Sequence, residues 1–86
     1  MTNVIFADEY EILPGLLLAE RRRTGLSQRA LGQRMGRSAT HVHKIETRRQ
    51  RIEVVEFCRY IRAVGGDPIE VLQDFIARLD QEQSAA

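Results

Sequence analysis

The sequence predicts an all-α domain of five short helices, and three observations carry that expectation. Punctuation residues at Pro14-Gly15, Thr24-Gly25, Met35-Gly36, Thr47-Arg48-Arg49 and Gly65-Gly66-Asp67-Pro68 cut the chain into five segments. Helix-capping residues open three of them: Ser27, Ser38 and Asp67. Within the segments the large apolar residues recur at helical spacing.

The first helix is expected from about Pro14, suited to the first helical position, to Thr24, with Gly25 as a left-handed cap and Arg21, Arg22 and Arg23 at the negative pole of the helix dipole. The second runs Gln28 to Met35 behind Ser27, and the third from Ser38 to about Glu46, with Val42 and Ile45 as its only large apolar residues. The fourth, about Glu53 to Val64, aligns Val54, Phe57, Cys58, Ile61 and Val64 in an amphipathic stripe. Asp67, Pro68 and Glu70 start the fifth, whose apolar face of Ile69, Val71, Leu72, Phe75, Ile76 and Leu79 is wide. Ahead of these, Asn3-Val4-Ile5-Phe6 is β-prone, and Asp8 to Leu13 reads equally as a helical turn or an extended arm. The expected organisation is an N-terminal arm at 1–12, a domain at 13–79 and a frayed tail at 80–86.

At 86 residues, 43% of them hydrophobic, the chain is one small domain. Area scaling gives roughly 14,000 Å² unfolded and about 5,000 Å² folded, a marginal burial that a partner subunit would improve. No apolar run is long enough to span a membrane, no secretory leader is visible, and the single Cys58 needs no oxidising compartment, so a cytoplasmic location is expected. Cys58 sits on the apolar stripe and reads as a core thiol. The net charge of +1 conceals a division: residues 20–51 hold ten basic and two acidic residues, +8, leaving −7 elsewhere. A basic face beside acidic flanks fits a polyanionic partner, although a solvated charged surface has the same composition.

Two short helices joined by a tight turn, the second polar and basic, form a helix-turn-helix. Gly32 permits close approach of the two helices, Gly36 can take positive φ, and Val42 with Ile45 anchors the later helix. At 100° per residue, Thr40, His43, Lys44 and Thr47 then point away from the core, with Ala39 at the margin.

Through Gly25-Leu26-Ser27-Gln28-Arg29-Ala30-Leu31-Gly32 and Gly36-Arg37-Ser38 to Val42-His43-Lys44-Ile45-Glu46, the sequence resembles the Cro/phage-repressor-like (XRE) family. The likeness extends over about residues 13–76, taking in Arg51 to Phe57 and Arg62 to Pro68. It implies a five-helix lambda-repressor-like DNA-binding domain, most often a repressor that occupies an operator and blocks polymerase. By position, Ser38, Ala39, Thr40, His43 and Lys44 would face base edges in the major groove, with Gln28 on a phosphate and Arg49 and Arg51 in the loop that grips the backbone. Arg37, Thr47 and Arg48 complete the set expected on phosphates. The resemblance also implies an ion pair between Arg21 and Glu46 that holds the recognition helix. Three positions depart from the pattern: Arg48 where glycine is usual, Ile52 where proline is common, and Arg37 where a small apolar residue is common.

The residue chemistry agrees: Lys44 and His43 can donate to guanine, and Thr40 and Ala39 can meet a thymine methyl. His41 and His43 diverge by about 200° on a helix and cannot share a metal, so no metal is expected. No catalytic set or phosphate loop appears, so no enzyme, cofactor or small-molecule ligand is expected. A homodimer on double-stranded operator DNA is expected, because one short helix reads few base pairs. Its surface would be Ile69, Leu72, Phe75, Ile76 and Leu79, with strand exchange through Val4-Ile5-Phe6 as the alternative and capping of the monomer core as the bland reading of the fifth helix. The second functional class is an antitoxin or accessory protein-interaction module that holds a protein partner through Asp8-Glu9-Glu11 and Asp67-Glu70-Asp74, with DNA binding secondary.

Overall fold

Helix formation begins earlier than the sequence predicts. In the computed structural model, which describes residues 2–85 and the side chains of residues 9–82, α1 runs Thr2–Thr24 with Pro14 inside it. Residues 3–6, read as β-prone and as a possible exchanged strand, are therefore helical, and no strand occurs among the described residues. Two physical reasons account for the difference. A lone four-residue strand has no second strand to satisfy its backbone, whereas extending an existing helix adds one hydrogen bond per residue fixed. Pro14 forfeits its own N–H bond to the carbonyl of Tyr10, and α1 continues through it.

Four further helices follow: α2 Gln28–Met35, α3 Ala39–Glu46, α4 Val54–Ala63 and α5 Pro68–Ala85. Their starts are capped by side chains. Ser27 Oγ accepts from Ala30 N at 3.0 Å, Ser38 Oγ from His41 N at 3.1 Å and Glu53 Oε1 from Glu56 N at 2.7 Å. Asp67 Oδ1 accepts from Ile69 N at 2.9 Å at the start of α5.

Leu16 and Leu17 of α1, Leu31 and Met35 of α2, Val42 and Ile45 of α3, Phe57, Tyr60 and Ile61 of α4, Val64 at the cap of α4, and Val71 of α5 form one core. The stripe expected on α4 is thus shifted: Val54 is exposed in the first turn, and Tyr60 takes a fully buried place. Cys58 is partly buried against this core. α2 packs on α3, while α5 closes the bundle against α1 and α4. The exposed area, 5853 Å², exceeds the roughly 5,000 Å² expected for a compact chain of this mass.

Gly32 shows why the α2–α3 corner is tight. A Cβ there would sit 2.8 Å from the Arg37 carbonyl oxygen and 3.0 Å from the Ser38 carbonyl, which is backbone and cannot swing aside. Gly36, at φ 71°, caps α2 in the left-handed region and lets the chain turn into α3.

Candidate nucleic-acid interface

α3 has one buried side and one polar side. Val42 and Ile45 are 0% and 1% exposed, fixing the inner face. Thr40, His43 and Lys44 are exposed on the outer face, and Ala39 is half-buried at its edge. Ser38 is exposed too, although its hydroxyl oxygen already caps the helix. The five residues expected at base edges therefore lie along one edge of α3 and its N-terminal cap.

The C-terminal end of α3 is held through Glu46. Arg21 of α1 grips its carboxylate with both arms of the guanidinium, Nε to Oε2 at 2.7 Å and Nη2 to Oε1 at 2.9 Å, while Arg21 Nη1 donates to Leu26 O at 2.9 Å. Gln28 Nε2 adds a bond to Oε1 at 3.0 Å, and the Tyr60 hydroxyl, from α4, one to Oε2 at 2.5 Å. Burial pushes the Glu46 carboxyl up, but the bonds from Arg21, Tyr60 and Gln28 outweigh it and hold the group below the usual carboxylate range. Burial, reinforced by Glu46, raises the Tyr60 phenol far above its ordinary value, so it stays a donor.

A second carboxylate, Glu56 of α4, faces the other end of α3. It is 7% exposed, and its Oε1 receives Arg37 Nε at 3.1 Å and His41 Nε2 at 2.8 Å. Burial raises its pKa, and Arg37 and His41 overcome that, leaving it lowered.

The residues expected on phosphates divide. Gln28 is turned toward Glu46 and lies 3.4 Å from His43 Nδ1. Arg37 is tied to Glu56 but remains half-exposed. Thr47 Oγ1 donates to His43 O at 2.7 Å, closing the end of α3. Arg48 adopts φ 65°, the left-handed conformation that glycine would supply, and its Nη1 donates to Glu11 Oε1 at 2.9 Å. Arg49 and Arg51 are exposed; Arg49 N and Gln50 N close the turn onto Lys44 O, and the Arg51 guanidinium lies 5.8 Å from the centre of the Tyr10 ring.

Among the residues expected at a subunit interface, Ile69, Leu72 and Ile76 are exposed, whereas Phe75 and Leu79 are half-buried and Phe75 packs against the core. Three functional side chains escaped the sequence reading: Tyr60, Glu56 and His41. Tyr60 had a usable signal, since 57, 60, 61 and 64 follow helical spacing. Glu56 and His41 are polar residues 15 apart, and nothing local joins them.

A basic helix-turn-helix whose second helix is anchored at both ends and presents a polar edge defines a DNA-binding protein. The comparisons agree. The helix-turn-helix domain family matches residues 15–73. An XRE-family like protein from Pseudomonas syringae pv. tomato str. DC3000 is similar in structure, with a TM-score of 0.81 and 35% identity over 90% of this chain and 94% of that one. No curated protein matches the chain significantly. The chain belongs to the XRE-type helix-turn-helix family and is a DNA-binding regulator. Among the described residues no helix is long and apolar enough to cross a membrane.

Proposed function

We propose that the protein is a cytoplasmic repressor that binds a palindromic operator as a homodimer, with α3 in the major groove. The carrying observation is the exposed edge of Thr40, His43 and Lys44 opposite the fully buried Val42 and Ile45. Side chains on this edge, with Ser38 and Ala39, reach base edges and supply discrimination. Arg49 and Arg51 neutralise phosphates, joined by Gln28, Thr47 and Arg48 once DNA competes for their present partners, and by Arg37 through its Nη groups while its Nε stays with Glu56. Two copies related by a two-fold axis would place their recognition helices about 34 Å apart, one turn of duplex. Ile69, Leu72 and Ile76 give α5 an apolar stripe for that contact, with Leu79 at its margin and Phe75 holding the helix to its own core.

Selection of bound sequences from a random duplex pool tests this reading. Two inverted half-sites one helical turn apart are expected, and a pool without enrichment contradicts it. A protein-interaction module is the second reading, favoured by Glu20, Asp67, Glu70 and Asp74 around one groove between α1 and α5. A flat dependence of DNA affinity on salt would favour that module, because phosphate contacts impose a steep one.

A further inference from the structure

We infer that Glu56 is a positioning residue for sequence reading, a buried latch that fixes the N-terminal turn of α3 through Arg37 and His41. The inference rests on the proposed groove reading, since it concerns how the reading edge is held.

α3 is only eight residues long, and its two core anchors, Val42 and Ile45, are its fourth and seventh. None of its first three residues is fully buried, and the Glu46 network acts at its far end. Those contacts fix the position of the helix, and the close corner at Gly32 fixes where the chain enters it, with Arg37 N donating to Gly32 O at 2.7 Å, but the tilt of its first residues is left to side chains. Glu56 fixes it. One oxygen, Oε1, takes both Arg37 Nε and His41 Nε2, and the three residues between these anchors are Ser38, Ala39 and Thr40. Three of the five residues assigned to base edges are thus bracketed by bonds to one atom. The atom itself is well held, because Glu56 is buried in the first turn of α4 and its N–H is capped by Glu53 at 2.7 Å. Gln50 Nε2 lies 3.5 Å from the other His41 nitrogen, so the imidazole is flanked on both sides.

The latch has an electrostatic corollary that separates it from a general contribution to stability. Glu56 neutralises Arg37, and removing the carboxylate frees a half-exposed guanidinium beside the expected phosphate path. Loss of Glu56 should therefore weaken discrimination without weakening sequence-independent attraction.

The test compares wild type, Glu56→Gln and His41→Ala on a duplex selected by the wild-type protein and on a random duplex, with circular dichroism to verify folding. The expected result for Glu56→Gln is a fall of about tenfold in the ratio of selected to random affinity, the scale of one compromised base contact. Its affinity for random duplex stays level or rises. His41→Ala, which leaves the Arg37 bond in place, shifts the ratio the same way by less and decides the matter if Glu56→Gln fails to fold. Unchanged ratios, or equal losses on both duplexes, overturn the latch while the groove reading stands. A wild-type protein with no preference for any duplex overturns the groove reading, and the latch with it.

Discussion

The Tyr60 hydroxyl lies 2.5 Å from Glu46 Oε2 and 2.9 Å from the Leu17 carbonyl oxygen, joining α4, α3 and α1 at one buried atom. The same carboxylate takes both arms of Arg21 and the amide of Gln28, so the recognition helix is tied to α1, α2 and α4 through its last residue. Tyr60→Phe removes one donor from a buried carboxylate and a buried carbonyl. An expected cost of about 1–3 kcal/mol follows, read as a lower midpoint in urea unfolding with an unchanged slope.

Acid should loosen the domain through two carboxylates. Glu46 and Glu56 both titrate below their ordinary range, because hydrogen bonds outweigh the opposing effect of burial. A carboxyl with a lowered folded pKa binds fewer protons folded than unfolded. Its stabilisation is complete above the unfolded pKa and drains away as pH falls through the folded one. Urea midpoints measured from about pH 7 to about pH 3 should hold level and then decline below about pH 5, with a shallower decline in Glu56→Gln.

Gly32→Ala should be costly although alanine favours helices. The new Cβ meets the Arg37 carbonyl oxygen at 2.8 Å, and relief requires the α2–α3 turn to move. Overpacking of this kind costs about 1–3 kcal/mol, more than the roughly 1 kcal/mol gained in helix propensity. A drop in melting temperature together with weaker DNA binding is expected.

Arg48→Gly should separate stability from binding in the opposite direction. The left-handed backbone at φ 65° costs a non-glycine residue about 1 kcal/mol. The Glu11 pair that would be lost is exposed and is worth a few tenths, roughly. The variant should unfold at equal or higher urea concentration while binding all duplexes more weakly.

On α5, Leu72→Glu and Ile76→Glu should yield folded monomers, because both side chains face solvent. Phe75→Glu should unfold the domain itself, since Phe75 packs on the core. Sedimentation with circular dichroism distinguishes the two outcomes, and a wild-type monomer at all concentrations would remove α5 as an interface.

What the sequence reveals and what it hides divides by range. The caps at Ser27 and Ser38, the close approach at Gly32 and the Val42/Ile45 anchor are local consequences of residue type and spacing, and the structure places each as expected. The Arg21 and Glu46 pairing spans 25 residues and entered through family resemblance. The bonds of Tyr60 to Leu17 and of His41 to Glu56 join residues 43 and 15 apart, and no local pattern announces them. The start of α1 was hidden for another reason: Asn3 to Phe6 has β propensity, and Pro14 looks like a helix start, but propensity is a weak prior beside the absence of a pairing strand.

A base-substitution profile separates base reading by α3 from backbone contacts by the loop after it. Wild type, Lys44→Ala and Arg49→Ala would each be titrated against every single-base variant of the selected duplex. Lys44→Ala is expected to flatten the preference at one or two positions in each half-site, whereas Arg49→Ala weakens every duplex alike and lowers the salt slope by about one. A uniform loss in Lys44→Ala, with every positional preference intact, would contradict base reading by α3.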